Sequence, residues 1–495
     1  MKKLATDLRE VKEMAEELDR PCLIPVISTT GGRTDPAKIY LGLRNGKTPS
    51  YLLESAEKPG ETARYSVMGA DPLLHVRIAG GKCHLGGRRD LLELSTEKAG
   101  NVTGGADPLD SLRKAMLFDE MSVPKGVPRY MLGVVGYIGY DYIRSSLDLG
   151  FHAADDLKHP ELEFMLPEQM MIFDHVARRI HYCSLMLLLD GSDVKEAYGR
   201  ARSNLKKLAR LGEVSPRSTR RSRPDIRANI GKEEFERRVE RIKEYIRAGD
   251  VIQTVLSRRV ELSPAPPLGE FYLNLRRINP SPYMFFLDLP ERKIVGSSPE
   301  ILVRVEKRTV VTRPIAGTRR FGRSKADNAT MERELLADEK ERAEHVMLVD
   351  LGRNDLGRVS EFGSVRVTEF MKVEKYSHVQ HLVTNVAGKM REDKDLFDAI
   401  RATFPAGTVT GAPKVRAMEI IEELEPTRRG IYAGAIGSLS YTGDVDLAIT
   451  IRTLVAQGGR GFVQVGAGIV ADSVPEMEHY ETENKARALL SAAGV

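Results

Sequence analysis

The sequence predicts an α+β fold built on antiparallel β-sheet. Short apolar runs bounded by turn residues recur along the chain, and helix-forming stretches lie among them without strict alternation of strand and helix. The chain has 495 residues, of which 41% are hydrophobic, which is enough for one very large core or for two or three ordinary ones.

The first region, residues 1–214, contains most of the clear strand signals. Its amino terminus predicts an amphipathic helix rather than a secretory signal, because Asp7 and Glu10 interrupt the apolar residues. Asp107 and Pro108 begin a second helix as its cap and first helical residue. A further helix is expected over residues 193–211. Apolar runs predict strands at residues 22–28, 50–53, 65–68, 73–78, 131–138 and 180–189.

Residues 215–228 form a predicted basic linker between this region and a second one, residues 229–495. Several arginines lie in the linker without interleaved aromatic residues, so a solvated joint is a better interpretation than a nucleic-acid contact. After the linker, helices are expected at residues 233–248, 330–348, 396–403, 413–423 and 475–493. Strands are expected at residues 251–256, 284–287, 301–305, 436–441, 447–455 and 461–465.

Charge and cysteine content exclude several classes of protein. The 75 basic residues are nearly balanced by 70 acidic ones, which argues against a polyanion-binding protein. Cys22, Cys83 and Cys183 lie far apart and form no zinc spacing, which suits a reducing cytosol, so a cytoplasmic protein is expected. No apolar run approaches the roughly 18 to 20 residues that cross a bilayer, so no membrane association is expected.

Two pairs of glutamates give the strongest chemical signal. Glu341 with Glu344, and Glu478 with Glu481, lie three residues apart in helix-forming stretches, so each pair shares one helical face. Four converging carboxylates would repel one another unless a cation or protons compensated them. All-oxygen ligands suit a hard divalent ion, and magnesium is the first candidate. Either pair alone is more often a solvated helix face.

Other residues could receive an anion. Arg452 lies in the apolar stretch 448–455, where a charge needs a partner, and Lys485 shares the last predicted helix with the second glutamate pair. Thr408 precedes a helix opening at Pro413, whose N–H groups favour negative charge. Each feature alone could be structural. Together with a metal they indicate a small substrate with more than one carboxylate.

A glycine-rich string near the carboxyl terminus fits a dinucleotide-binding turn only loosely. After Gly466 and Gly468 the helix begins late, at Pro475, and too little chain follows for a dinucleotide unit. The glycines would still let an anion approach main-chain N–H groups.

Five strings resemble those of the chorismate-utilising enzymes, and within them the anthranilate synthase component I family. The resemblance runs from about residue 51 to residue 490. The strings are Pro314-Ile315-Ala316-Gly317-Thr318, Glu341-Arg342-Ala343-Glu344-His345, Leu351-Gly352-Arg353-Asn354-Asp355-Leu356, Gly407-Thr408-Val409-Thr410-Gly411-Ala412-Pro413-Lys414 and Gly466-Ala467-Gly468. The resemblance implies a large sandwich of two antiparallel β-sheets with helices packed outside, and a cleft for chorismate and Mg²⁺.

The same resemblance implies roles for individual residues. Glu300 would protonate the departing ring hydroxyl, His381 would act in pyruvate elimination, and Thr318 and Thr408 would position the substrate. The magnesium ligands would be Glu341, Glu344, Glu478 and Glu481. The substrate would contact Ala316, Gly317, Tyr432, Arg452, Gly466, Gly468 and Lys485.

Two positions bear on which chorismate reaction occurs. Related aminodeoxychorismate synthases have a nucleophilic lysine where this chain has Ala316, and isochorismate and salicylate synthases have a water-activating lysine where it has Gln253. The resemblance therefore implies attack by ammonia, then loss of the hydroxyl and of pyruvate to give anthranilate. Aminodeoxychorismate synthase activity is the alternative.

The resemblance also implies a partner and an inhibitor. No segment resembles a glutaminase, so ammonia is expected from a separate glutamine amidotransferase subunit, anthranilate synthase component II, within a heterodimer or heterotetramer. Two segments resemble a tryptophan feedback site, although a buried strand and a proline turn would explain them too. The expected inhibitor contacts are Glu54, Ser55, Pro282, Tyr283 and Met284.

Overall fold

The computed structural model describes residues 4–55, 64–99, 107–150, 152–216, 223–320, 324–375 and 379–495. Within these ranges the chain forms 22 strands and twelve α-helices. The strands are β1 Leu4–Ala5, β2 Cys22–Gly31, β3 Ser50–Glu54, β4 Tyr65–Ala79, β5 Lys82–Gly87, β6 Gly133–Ile138, β7 Leu162–Asp174, β8 Arg179–Leu188, β9 Asp225–Ala228, β10 Gln253–Ser263, β11 Tyr283–Asp288, β12 Arg292–Ser298, β13 Ile301–Glu306, β14 Thr309–Thr312, β15 Ile315–Arg320, β16 Arg366–Lys375, β17 Val379–Lys389, β18 Gly411–Ala412, β19 Ala435–Ser440, β20 Val445–Ile449, β21 Thr453–Gln457 and β22 Arg460–Ile469. The helices are α1 Leu8–Glu17, α2 Pro36–Leu43, α3 Arg89–Ala99, α4 Pro108–Ala115, α5 Val194–Leu208, α6 Lys232–Arg247, α7 Leu268–Ile278, α8 Lys325–Ala337, α9 Glu339–Gly357, α10 Leu396–Thr403, α11 Lys414–Leu424 and α12 Pro475–Ala492.

The strands form one antiparallel hydrogen-bonded ladder that divides at β7. One arm runs from β7 through β4, β3, β11, β12, β21 and β22 to β10. The other arm runs through β6, β19, β20, β13 and β14 to β17, which also pairs with β15 and β16. The antiparallel sheet that the sequence predicts is therefore confirmed.

The two arms pack face to face, and helices cover their outer faces. Tyr51 and Phe285 of the first arm share one buried cluster with Tyr137 and Ile436 of the second. Helices α2, α7 and α12 share a second cluster with the outer face of the first arm. Helices α3, α4, α9 and α10 share a third with the outer face of the second. This arrangement is the predicted sandwich with helices outside.

Strands from the two predicted regions pair directly with one another. Strand β3 pairs with β11, and β6 pairs with β19, so the sheet continues across the basic linker in sequence. The division into residues 1–214, 215–228 and 229–495 stays a prediction. Residues 217–222 of the linker lie outside the described part of the chain.

Several element boundaries differ from those that the sequence predicts. The strands expected at residues 65–68 and 73–78 form one strand, β4, with an irregular register at Pro72. The helix expected over residues 330–348 is two helices, because Asp338 ends α8 and caps α9, accepting a hydrogen bond from the Glu341 N–H at 3.1 Å. The glutamates Glu341 and Glu344 therefore lie near the beginning of a helix.

The longest unforeseen element is β7, whose thirteen residues are interrupted by polar side chains. Glu163 is only 1% exposed and would break an apolar pattern, but it forms a buried ion pair with Arg292. His75 Nε2 lies 3.0 Å from the same carboxylate and the Tyr137 hydroxyl donates to it at 3.2 Å. Such a charge is tolerated in a core only when it is paired and hydrogen-bonded.

Two further observations concern the cysteines and the length of the helices. All three cysteines are free thiols. Among the helices of the described residues, none combines the length and the apolar character needed to span a bilayer.

Candidate active site

Two neighbouring strands, β10 and β22, form the floor of the candidate site. A Cβ at Gly468 would lie 2.6 Å from Nε2 of Gln253, and a Cβ at Gly466 would lie 2.8 Å from the Tyr432 hydroxyl. Larger residues at these positions would displace the side chains of Gln253 and Tyr432. Both glycines lie within a strand and not in a turn, because β22 continues through them to Ile469.

Glu300 is a buried carboxylic acid between β12 and β13. It is 6% exposed, and burial raises its pKa to about 8. The nearby Thr408 hydroxyl, the Ile315 N–H and the positive charge of Arg452 oppose this rise. The Thr408 hydroxyl is close enough to Glu300 to influence its pKa, but it forms no hydrogen bond of normal distance and angle with any protein group. The carboxyl of Glu300 therefore keeps its proton at neutral pH, as a general acid requires.

His381 lies on β17 beside the β15 string that the sequence singles out. Its Nδ1 lies 3.0 Å from the carbonyl oxygen of Gly317, so Nδ1 donates a hydrogen and Nε2 carries none. Burial, with the charges of Arg452 and Lys485, lowers the pKa of His381 to about 4. The imidazole is thus neutral at pH 7, and it can accept a proton through Nε2.

Strand β15 bends where it meets the site. Ala316 pairs with Leu382, Thr318 pairs with His381, and the register shifts between Ala316 and Thr318. Gly317 at the bend has a φ of +72°, and a Cβ there would lie 3.1 Å from Oε2 of Glu341. Only glycine takes that conformation without strain. The Thr318 side chain lies outside the described part of the structure.

Arg452 does not lie within a strand, which corrects the sequence interpretation. It lies between β20 and β21 with a φ of 49°, and its carbonyl accepts a hydrogen bond from the Ser297 N–H at 3.1 Å. This left-handed residue interrupts the apolar stretch and places a cation near Glu300 and His381, whose pKa values it lowers. Arg452 therefore lies near the two acid–base groups.

The glutamates of α9 are half-buried and already have partners. Glu341 forms an ion pair with Arg319 at 2.9 Å, and Glu344 accepts a hydrogen bond from Nε2 of Gln253 at 2.8 Å. Burial raises the pKa of Glu344, and the charges of Glu341 and Glu481 raise it further. The effect of Glu481 shows that the glutamate pairs of α9 and α12 lie close to each other.

The glutamates of α12 have partners as well. Lys485 Nζ lies 2.6 Å from Oε1 of Glu481 and donates to the Gly466 carbonyl oxygen at 2.8 Å. Burial raises the pKa of Glu478, a hydrogen bond from Ser473 lowers it, and Glu481 raises it. Lys485 therefore links the second glutamate pair to the floor of the site.

The donor chemistry of the four carboxylates fits a hard divalent cation. Within the described ranges, however, no three acidic, histidine or cysteine side chains stand together in a metal-ligating arrangement. Arg319 and Lys485 hold one glutamate of each pair. A cation would therefore share Glu341 with Arg319 and Glu481 with Lys485, or displace these side chains from them.

The five residues expected at the inhibitor site come together at one corner of the sheet. Glu54 pairs with Met284 across β3 and β11, so Ser55 lies beside the segment that contains Pro282 and Tyr283. The Ser55 hydroxyl is buried without a hydrogen-bond partner. The Tyr283 hydroxyl donates to Asp446 at 2.9 Å and accepts from Arg304 at 2.7 Å.

Sequence reasoning did not assign contact roles to several residues in these sites. Tyr272 donates to the Glu54 carboxylate at 2.8 Å, and Arg276 forms an ion pair with it at 3.4 Å. Arg319 binds Glu341, and Gln253 binds Glu344. Each contact joins residues far apart in the chain, so no local pattern indicates it. The available sequence signal was Glu54, a carboxylate at the end of an apolar strand, because a buried carboxylate needs a hydrogen-bond or ion-pair partner.

Comparison with known proteins places this arrangement in a family. Residues 48–491 match the family described as chorismate binding enzyme. Anthranilate synthase component 1 of Acetivibrio thermocellus is 44% identical and covers 98% of this chain and 97% of its own length. That of Thermus thermophilus is 44% identical over 92% of this chain and 95% of its own.

Solved structures agree with these sequence matches. The crystal structure of anthranilate synthase component I from Streptococcus pneumoniae has a TM-score of 0.74 and 36% identity, covering 92% of this chain and 97% of that one. The menaquinone-specific isochorismate synthase of Escherichia coli has a TM-score of 0.71 at 18% identity over 98% of both chains, which shows a shared fold. This chain belongs to the chorismate binding enzyme family.

Proposed function

We propose that this protein is the chorismate-converting subunit of an anthranilate synthase. It joins ammonia to the ring of chorismate and releases water, pyruvate and anthranilate, the first step of tryptophan biosynthesis. One observation carries this choice within the family: a methyl group at Ala316, which is 9% exposed, and an amide at Gln253, which is bound to Glu344. Neither position supplies an amine nucleophile or a base, so ammonia itself attacks the ring.

The acid–base work is divided between Glu300 and His381. Glu300 holds a proton at neutral pH and gives it to the ring hydroxyl, which leaves as water. His381 is neutral, with Nδ1–H bound to Gly317, and its Nε2 receives a proton during loss of pyruvate and aromatisation. The opposite pKa shifts keep the two groups in these forms at the same pH.

The substrate carboxylates are held by cations and main-chain groups around the floor. Arg452 and Tyr432 bind the pyruvyl carboxylate, with Lys485 and the N–H of Gly468 assisting. Thr408 positions the ring beside Glu300. The floor strands, Glu300 and His381 are buried, which strengthens charged contacts beside them. The Lys485 and Glu481 side chains remain 45% and 48% exposed.

Magnesium is the proposed metal, held by Glu341, Glu344, Glu478 and Glu481. When bound, it neutralises these carboxylates and holds the ring carboxylate of chorismate as a Lewis acid. The shared charge repulsion that raises the pKa of Glu344 supports this assignment.

The ammonia comes from a glutamine amidotransferase subunit, anthranilate synthase component II. The relatives are named as a first component, which supports a second one. We place the assembly in the cytoplasm, which suits three free thiols.

Tryptophan is the proposed feedback inhibitor, bound at Glu54, Ser55, Pro282, Tyr283 and Met284. The buried hydroxyl of Ser55 and the paired carboxylate of Glu54 offer polar contacts to an amino acid. The proposal is supported by the convergence of two distant segments at one sheet corner.

A product assay tests the proposed reaction. The purified chain, given chorismate, Mg²⁺ and ammonium, should release anthranilate, detected by its fluorescence, with an equal amount of pyruvate. Glutamine should replace ammonium only when the amidotransferase subunit is added. Accumulation of aminodeoxychorismate or isochorismate in place of anthranilate would show that the assignment is wrong.

The pH profile tests the role of Glu300. The acid form of Glu300 dominates below its pKa of about 8. When kcat/KM is calculated from the concentration of unprotonated ammonia, it should therefore be constant below that pH and fall about tenfold per pH unit above it. Glu300→Gln should lower the rate by about 10²–10⁴-fold and remove this limb. Glu306→Gln at the end of β13, the strand that follows Glu300, changes a side chain that is 56% exposed, so it is the matched control and should keep the profile.

Metal titration tests the carboxylate ligands. Glu344→Gln and Glu481→Gln should each weaken Mg²⁺ binding by about tenfold or more, since even the loss of a residue that only supports a metal ligand has an effect of that size. Calorimetry and activity assays measure the binding. Glu483→Gln on the same helix, whose carboxylate lies 3.8 Å from Arg258, is the control and should bind Mg²⁺ normally. Equal affinity in all variants would place the metal elsewhere.

Inhibition assays test the tryptophan site. Ser55→Ala should raise the tryptophan inhibition constant by about tenfold, the worth of one hydrogen bond, and leave the ammonium-dependent rate unaltered. Ser50→Ala, at the other end of the strand that precedes Ser55, changes a hydroxyl that lies 3.2 Å from that of Tyr40 and should not alter inhibition. Unchanged inhibition in Ser55→Ala would exclude this hydroxyl from the site.

A further inference from the structure

A cavity of about 30 Å³ lies beside Glu300, on the side of the second arm that α9 and α10 cover. One water needs about 10–15 Å³ of such space, so the cavity has room for about two waters. Its polar lining includes Glu300, Thr312, Asp355, Thr403 and Thr408. The Thr408 hydroxyl is buried without a hydrogen-bond partner, so a water there would gain bonds that the protein itself does not supply.

Asp355 is the second carboxyl group that lines this cavity. It is 7% exposed, and its Oδ2 accepts from Lys414 Nζ at 2.8 Å. Burial raises the pKa of Asp355, whereas Lys414 and Arg358 lower it. The Lys414 side chain is 16% exposed, so the pair joins the cavity to solvent.

Neither residue of this pair has a place in the chemistry proposed above. Asp355 belongs to the Leu351 to Leu356 string, which the metal, substrate and inhibitor sites leave unused, and Lys414 ends the Gly407 to Lys414 string, of which those sites use only Thr408. A buried ion pair is weak evidence for stability, because its desolvation cost offsets most of its attraction. A role in proton movement explains why it borders the cavity of the catalytic acid.

We infer that water in this cavity connects Glu300 to the Asp355–Lys414 pair, and that this path returns a proton to Glu300 after each turnover. The inference rests on the proposed function, in which Glu300 loses one proton per cycle. The charges facing the path are Arg452 beside Glu300, and Lys414 and Arg358 beside Asp355.

The proton balance closes over one cycle. The O–H bond of Glu300 breaks as its proton moves to the ring hydroxyl, which departs as water. Lys414 first gives a proton to the Asp355 carboxylate, Asp355 passes it to a cavity water, and that water gives one to Glu300, after which solvent recharges Lys414. The proton that His381 takes from the ring passes to the departing pyruvate. The nitrogen bonded to the ring releases one proton to solvent, so the net proton count is unchanged.

Rapid mixing of the full chain with chorismate, Mg²⁺ and ammonium separates the first turnover from later ones. Glu300 begins protonated, so Asp355→Asn should complete its first turnover at the unaltered rate and then slow by about tenfold or more. The trace should therefore show a burst of one anthranilate per site, with KM for chorismate unchanged. Asp355→Glu should largely abolish the burst and restore the steady rate.

The controls separate a proton path from a structural role. Asp350 lies on the same helix as Asp355, pairs with Arg353 at 2.8 Å and has a side chain that is 60% exposed. The Asp350→Asn variant should therefore show no burst. Lys414→Gln should give the same burst as Asp355→Asn and serves if the latter does not fold. Equal slowing of the first and later turnovers in both variants, or a raised KM for ammonia alone, would overturn the inference. If the unaltered chain makes no anthranilate, the proposed function fails instead.

Discussion

The removal of water from Glu300 is the constraint on which the candidate site depends. A carboxyl group on the surface would be ionised at pH 7 and could not serve as an acid. Here the ends of β12, β13 and β20 surround it, and the Ile449 N–H bonds to its carbonyl oxygen at 3.0 Å. These strands come from the face-to-face packing of the two arms of the sheet. The fold therefore sets the pKa of one side chain by excluding solvent from it.

The same exclusion of water creates a charge problem that the site must solve. Arg452 and Lys485 lie near His381, and Glu341, Glu344 and Glu481 lie near one another, and charges that burial desolvates are costly when unpaired. Arg319 and Lys485 each neutralise one glutamate, and Gln253 donates to another. These contacts compensate the carboxylates in the protein alone. A bound divalent cation would compensate the same carboxylates, and an anionic substrate would in turn compensate Arg452 and Lys485.

Local patterns explain which parts of this arrangement the sequence could predict. Helix α10 was predicted at its observed bounds because its apolar periodicity is strong and Asp395 caps it, accepting from the Phe397 N–H at 2.9 Å. The fold class was predicted from such patterns and is confirmed, and the family, predicted from the resemblance of five strings, is confirmed as well. Strand β7 was missed because Glu163 breaks the apolar pattern, and its partner Arg292 lies 129 residues away in sequence. The left-handed turn at Arg452 was missed because φ depends on a tertiary contact with Ser297.

Gln253 shows how one buried side chain can separate chemistries that share a scaffold. Its amide donates to Glu344 at 2.8 Å and lies against Gly468, whose missing side chain leaves room for it. A lysine here would need space for its longer chain and would place a cation beside the glutamates. In a desolvated site such a lysine readily loses its proton and becomes a base that activates water. An amide cannot do so, because its nitrogen lone pair is delocalised into the carbonyl group and does not accept a proton at physiological pH. In the proposed reaction, water near the ring would then stay unactivated, which leaves ammonia as the effective nucleophile.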